Sequence, residues 1–377
     1  MTTQASAQTI QQTNLANRMR LLQYGIRNTV QLPSITSTFA NTISFPCQQT
    51  GLTTGLRCFV SLPLTITAAM TASEFCPTNL IQKVQIVDQS NLERTNCSGW
   101  QLWQHQNFKH RDNDGLSLAY SGHAGDYGSI NTNLFNIPTA TGSDSLLFSL
   151  YIPLAYDPMS DLTGSILTQT QTGQVQVYIT FAPGLVGSDT YMYPYSAGTA
   201  TGSTITVTPY QEYIGVGNGI QLSNVAELPL LDLNTAYGFS ALTTDNANVI
   251  SNATKQIWFP TNRTVYSQLT FFENGNSGTL NETDITNYQL LYNSNQPIIN
   301  CQPQYLRYKG RQLLGSDAPS GVYYIGRRMQ PVNTNYTGQV CSQFQLGTVA
   351  TGGGTVGFIT SHEVTYPLGS ALPGQIV

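Results

Sequence analysis

Short β-rich runs, each closed by Gly, Pro, Asn or Asp, follow one another along this chain with little helical punctuation. Residues 56–67, 80–87, 146–152 and 175–181 form one group; 256–259, 265–272, 321–325, 343–346 and 356–360 form another. In 82–87 and 174–180 polar and apolar residues alternate, which gives a strand one wet and one buried face. Strands this short and numerous, without strand–helix–strand alternation, predict an all-β protein built of sandwiches or jelly rolls. Two stretches read as helices, 157–167 after the Asp157-Pro158 start and 305–314. The Gly-, Thr- and Ser-rich stretch 183–204 reads as long exposed loops. Each half thus offers strands, one helix and further strands in similar order. At 377 residues the chain has room for two such blocks, which we place at 34–227 and 228–377.

Charge narrows the function. Only 9% of residues are charged, 15 Lys and Arg against 19 Asp and Glu, where globular proteins carry about 25%. Large interfaces are depleted of charge at their centres, because an ion buried there loses its hydration. The composition therefore predicts a protein made to pack against neighbours. A net charge of −4 argues against a nucleic-acid-binding body. No segment reaches the roughly 18 apolar residues of a membrane span, and the N-terminus shows no secretory signal, so synthesis in a cytoplasm is expected. The six cysteines show neither a C-x-x-C pair nor a His partner at zinc spacing, which predicts buried free thiols.

Residues 1–33 stand apart. Ile10, Leu15, Met19, Leu22 and Ile26 recur close to one helical stripe, and Pro33 ends any helix by Leu32. Arg18, Arg20 and Arg27 are interleaved, and no acidic residue precedes Glu74. The segment reads as a helical arm that packs on a protomer, or lies near an anionic surface.

The densest cluster of metal-ligating side chains is His105, His110, Asp112, Asp114, His123 and Asp126. Read as a calcium loop, it puts His110 in the first ligand position and Ser121 where the bidentate Glu belongs. His105 and His110 are five apart rather than the four of a helical zinc pair. A plain polar loop is the better reading, and no metal or cofactor is expected. Gly352–Gly357 lacks the Lys-Ser/Thr of a phosphate loop, and no G-x-S-x-G elbow occurs. Nothing compels catalysis. The alternatives are a carbohydrate-binding jelly roll of a receptor-binding or spike protein, and a β-rich glycoside hydrolase, for which carboxylates are few and scattered.

Several stretches occur in a telling order. Phe75-Cys-Pro-Thr-Asn-Leu-Ile-Gln-Lys-Val is followed by Asp88 and Ser98-Gly-Trp100, then by Ile152-Pro-Leu-Ala-Tyr156 and Asp161-Leu-Thr-Gly164. Leu228-Pro-Leu-Leu-Asp-Leu-Asn-Thr235, Glu273-Asn-Gly275 and Gly321-Val-Tyr-Tyr324 come next. Taken together, this series resembles the major capsid protein of tailless, internal-membrane-containing double-stranded-DNA phages, the tectivirus group. The likeness spans about residues 75 to 324 and leaves out the arm, the loops at 183–220 and the last fifty residues. It implies two tandem eight-stranded jelly rolls, with an N-terminal helical arm and short helices before late strands, at 157–167 and 305–314. Trp100 and Trp103 would pack inside the first block. Homotrimers with a pseudo-hexagonal outline would tile an icosahedral shell around an internal membrane and a double-stranded DNA genome. Partners would be the chain itself, neighbouring trimers and minor capsid and vertex proteins. The internal viral membrane would be met through Arg18, Arg20 and Arg27, and no direct sequence-specific nucleic-acid binding is implied.

Overall fold

The computed structural model describes residues 25–88, 91–109, 135–158, 161–168, 174–189, 191–215, 235–244, 252–274, 284–293, 296–314, 321–326, 331–334, 339–348 and 356–367. The first half contributes β1 (Ile26–Gln31), β2 (Ile35–Ser37), β3 (Thr42–Pro46), β4 (Leu52–Ala72), β5 (Ile81–Val87) and β6 (Glu93–Cys97). Then follow the helix α1 (Gly99–Lys109), β7 (Gly142–Pro153), β8 (Ile166–Leu167), β9 (Gln176–Phe181), β10 (Tyr195–Thr201) and β11 (Ile205–Gly215). The second half contributes β12 (Thr235–Thr244), β13 (Thr254–Trp258), β14 (Thr264–Asn274), β15 (Ile285–Tyr292) and β16 (Gln296–Cys301). It ends with α2 (Pro303–Leu314), β17 (Val322–Gly326), β18 (Val332–Asn333), β19 (Val340–Leu346) and β20 (Val356–Pro367).

Three sheets form three layers. A seven-stranded sheet takes the order β1-β11-β4-β10, with β2 on β11 and both β7 and β8 on β4. A four-stranded sheet takes the order β13-β19-β15-β16. Between them runs a nine-stranded sheet, β17-β14-β20-β12-β6-β5-β9-β3, with β18 on β14. It is shared by both halves, and the join is a parallel contact of β6 with β12 at Asn96 and Ser240.

Alternation decides what each layer buries. Leu56, Cys58, Val60, Leu62, Leu64 and Ile66 of β4 point inward, and Val177, Ile179 and Phe181 of β9 join the same core. A second core collects Phe272, Tyr288, Leu290, Phe344 and Val364. At about 25 cal/mol per Å² of apolar area, cores this large dominate the stability of each block.

Three readings need correction. Ile26–Gln31 is a strand paired with β11 rather than the end of a helix; backbone pairing to an open edge outweighs an apolar stripe exposed on this segment. The described residues of 157–167 are not helical. Asp157 and Asp161 exchange backbone hydrogen bonds across a tight turn, Gly164 takes a positive φ of 90°, and β8 follows. The predicted loop 183–204 contains β10, paired with β4. The helix expected at 305–314 is α2. All six cysteines are free, with Cys301 half-buried and the others buried. No described helix is long and apolar enough to cross a membrane.

Candidate functional site: the seam between the two β blocks

The element that joins the blocks is α1, and its start is written in the sequence. Ser98 Oγ accepts from the Gln101 N–H at 3.1 Å, and Gln101 Oε1 accepts from the Ser98 N–H at 3.0 Å. This reciprocal capping box supplies partners for orphan backbone groups at the helix start. Cys97 to His105 are all buried, because α1 has a block on either side. Leu102 and Trp103 enter the first core. Trp100 and Phe108 instead meet Leu269, Phe271, Val322 and Tyr324 of the second half. The Trp100 ring stands edge-on to Phe75 at 4.5 Å and to Phe271 at 5.5 Å, and Phe108 stacks on Tyr324 at 4.2 Å. Such aromatic pairs add about 0.5–1.5 kcal/mol each beyond the area they bury.

A buried polar chain crosses the same seam. Ser267 Oγ of β14 donates to Glu363 Oε2 of β20 at 2.8 Å, and the Tyr237 hydroxyl of β12 donates to Glu363 Oε1 at 2.8 Å. His105 Nδ1 lies 3.2 Å from Ser267 Oγ, and His105 Nε2 lies 2.9 Å from Ser361 Oγ. Since the Ser267 proton goes to Glu363, the network assigns the Nδ1–H of His105 as donor to Ser267 and leaves Nε2 to accept from Ser361. Burial and the adjacent Glu363 push the Tyr237 phenol well above its usual range. All five groups are at most 1% exposed, so they hold α1 to three strands and face no solvent.

Beside this chain, Arg94 Nε meets Asp88 Oδ2 at 3.0 Å with both side chains buried. Arg94 Nη1 also donates to the Gly164 carbonyl at 2.9 Å, and Asp88 Oδ1 accepts from the Leu92 N–H at 3.0 Å. The Tyr366 hydroxyl donates to the Glu93 carbonyl at 3.1 Å, and the Arg263 guanidinium lies 4.0 Å from the Tyr366 ring centroid.

The structure distributes the sequence-predicted residues unevenly. His105 belongs to the seam, whereas His110, Asp112, Asp114, His123 and Asp126 lie outside the described residues. Among the described residues no group of three His, Cys, Asp or Glu is placed to hold a metal. Arg18 and Arg20 also lie outside the described residues; Arg27, on β1, donates to the Pro158 carbonyl at 2.6 Å. Trp103 packs inside the first block as expected, but Trp100 is shared with the second. Sequence reading missed α1 itself; its signal was Ser98 with Gln101 three residues on.

Family models described as P3 major capsid protein N-terminal and C-terminal match residues 4–216 and 235–357. The chain belongs to the P3 major capsid protein family. Major capsid protein P3 of Enterobacteria phage PRD1 is 27% identical over 292 residues, covering 73% of this chain and 70% of that protein. A solved Sulfolobus Turreted Icosahedral Virus structure matches with a TM-score of 0.64 at 16% identity, over 92% of each chain. The PBCV-1 virus capsid matches with a TM-score of 0.63 at 14% identity, over 91% of this chain and 93% of that one. At such identities the likeness speaks for fold alone, and that fold is the double jelly roll. The protein is a major capsid protein of the virion, and the family match favours this over the carbohydrate-binding alternative.

Proposed function

We infer that this P3-family chain acts as a homotrimer, three double jelly rolls making six barrels with a pseudo-hexagonal outline. The observation that carries this reading is the rigid seam. A nine-stranded sheet continues from one block into the other, and α1 is buried between them. Two barrels fixed side by side present a constant profile, which lets identical trimers tile an icosahedral shell with near-equivalent contacts. The shell would enclose an internal membrane and a double-stranded DNA genome, with minor capsid and vertex proteins as further partners. The chain works by burying surface and carries no catalytic act. Its blocks divide near 227/228, outside the described residues. Arg18, Arg20 and Arg27 of the segment 1–33 would face anionic lipid head groups, a reading supported by the exposed position of Arg27.

Light scattering on the full chain after size exclusion tests this directly. A three-chain mass is expected, and a one-chain mass at micromolar concentration overturns the trimer. Deleting residues 1–24 should leave trimers intact but impair particle formation around lipid; normal lipid-filled particles from that variant would refute the arm's role.

A further inference from the structure

The outer face of the four-stranded sheet is unlike the rest of the surface. Its strands contain one charged residue, Lys255, which alternates onto the face of β13 that holds the buried Ile257. On the opposite face Gln256 donates to Gln343 at 2.9 Å, and Gln343 donates to Gln289 at 3.1 Å, an amide ladder across three strands. Asn287 extends it by donating to Asn300 of β16 at 3.1 Å. The ladder has a direction, so Gln256 Oε1 at one end and the Gln289 amide hydrogens at the other remain for groups outside it.

Apolar side chains border the ladder. Five large hydrophobic residues are exposed among those described: two lie on the edge strands of this sheet and two on the helix that follows β16 in sequence. Trp258, 40% exposed, lies on the same face of edge strand β13 as Gln256. Ile298, 41% exposed, is the extra residue of a bulge in edge strand β16; Tyr305 and Tyr308, 50% and 54% exposed, lie on α2, just beyond β16. A centre without ions, bordered by Trp, Tyr and Ile, has the composition of an interface core.

We propose that the outer face of the four-stranded sheet is the surface by which one copy of this chain docks on the next within the trimer, against the outer face of the neighbour's seven-stranded sheet. This rests on the trimer reading above. A closed three-fold ring is heterologous, so each copy needs two different matching surfaces. The seven-stranded sheet supplies the second. Its outward residues include Ser61, Thr65, Thr67, Thr201, Thr206 and Thr208, and the nearby ions Arg57 and Glu212 neutralise one another at 3.4 Å. Hydroxyls facing an amide ladder satisfy donors and acceptors on both sides, and the mutually paired Arg57 and Glu212 are the charges such a contact has to desolvate. The sheet face itself presents no cation; Lys309 and Arg311 are exposed on α2 at its border, with Lys309 5.6 Å from the Tyr305 ring centroid.

The test uses Gln343→Lys, at the centre of the ladder, and Asn300→Lys, exposed beside it. Each is followed by light scattering, by circular dichroism on heating, and by iodide quenching of tryptophan fluorescence. Trp100 and Trp103 are buried, so quenching reports on Trp258. The unmodified chain should be trimeric with Trp258 shielded. Either variant that keeps its fold should fall to a one-chain mass, and its tryptophan quenching should rise about threefold as Trp258 becomes free. Should Gln343→Lys fail to fold, Asn300→Lys carries the result, and shielding in the unmodified trimer needs no substitution at all. A folded variant that stays trimeric, or a trimer whose Trp258 quenches freely, overturns the docking face and leaves the capsid reading intact. A monomeric unmodified chain instead overturns the trimer on which it rests.

Discussion

Gly238 of β12 lies so close to Arg94 of β6 that a Cβ built on it would sit 1.8 Å from the Arg94 carbonyl oxygen. This is where the two halves of the chain become one sheet, at the one parallel pairing between two named strands among the described residues. No rotamer relieves a clash between Cβ and backbone, so Gly238→Ala must separate the strands. We expect a loss of about 3 kcal/mol or more, at the upper end for overpacking. Urea unfolding would show this as a lower midpoint, and an unchanged midpoint would remove the seam's dependence on close approach.

Asp88 and Arg94 are both buried, and each also bonds the backbone. Arg94→Met would strand the Asp88 carboxylate without its counter-ion, at a cost of about 3–5 kcal/mol. Asp88→Asn added to Arg94→Met removes the uncompensated charge and should recover part of that loss. A double-mutant cycle by denaturant unfolding measures the coupling; purely additive effects would mean the pair does not act as a unit.

Trp100→Ala opens a cavity shared by both blocks and is expected to cost about 3–5 kcal/mol. Since Phe75, Phe271 and Tyr191 all touch the ring, the lost edge-to-face contacts fall on both sides of the seam. Unfolding followed separately by near-ultraviolet dichroism and by tryptophan fluorescence should show one shared, lowered transition. Two transitions with the first block at its original stability would place Trp100 outside the shared core.

How far the sequence reveals the protein depends on where each element's partners lie. The long strands β4, β9 and β14 are legible because alternation alone specifies their inward faces. The outward amide ladder of the candidate docking face is not, since Gln256, Gln289 and Gln343 meet only through register. Helix α1 has no one-sided apolar stripe, being covered on both faces, so only its capping box marks it. For 157–167 the Asp-Pro start and early acid fit a helix, but they also fit a turn, and Gly164 decides for the turn. The capsid resemblance is carried by the ordered series of short matches, which no single element supplies, and the family models over residues 4–216 and 235–357 establish the membership.

Burial pushes the Cys47 and Cys58 thiols up to about 12, and the same cause raises Cys76, Cys97, Cys301 and Cys341, so access is what sets the half-buried Cys301 apart. Reaction needs the thiolate and access to it. An Ellman titration of folded protein at pH 8 should therefore find one prompt thiol, Cys301, and the remainder only after denaturation. Cys301→Ser should abolish the prompt phase, and prompt modification of more thiols would contradict the burial.

His362 is fully buried within the second core, its ring 5.1 Å from that of Phe259, and neither ring nitrogen has a hydrogen-bond partner. Burial, aided by His105 across the sheet, pushes its pKa down to about 3, against about 6.5 in an unfolded chain. Between those values the unfolded chain binds a proton that the folded chain refuses. Stability is therefore full above pH 6.5 and declines as pH falls toward 3, by at most about 1.4 kcal/mol per pH unit from this residue. Glu363 follows His362 in β20 but bonds Tyr237 and Ser267 on the other face, so it offers the imidazolium no counter-ion. His362→Phe, close in shape and beside an aromatic neighbour, should flatten the pH dependence of unfolding free energy between pH 6 and 4. Equal slopes in the two proteins would assign the acid sensitivity to other groups.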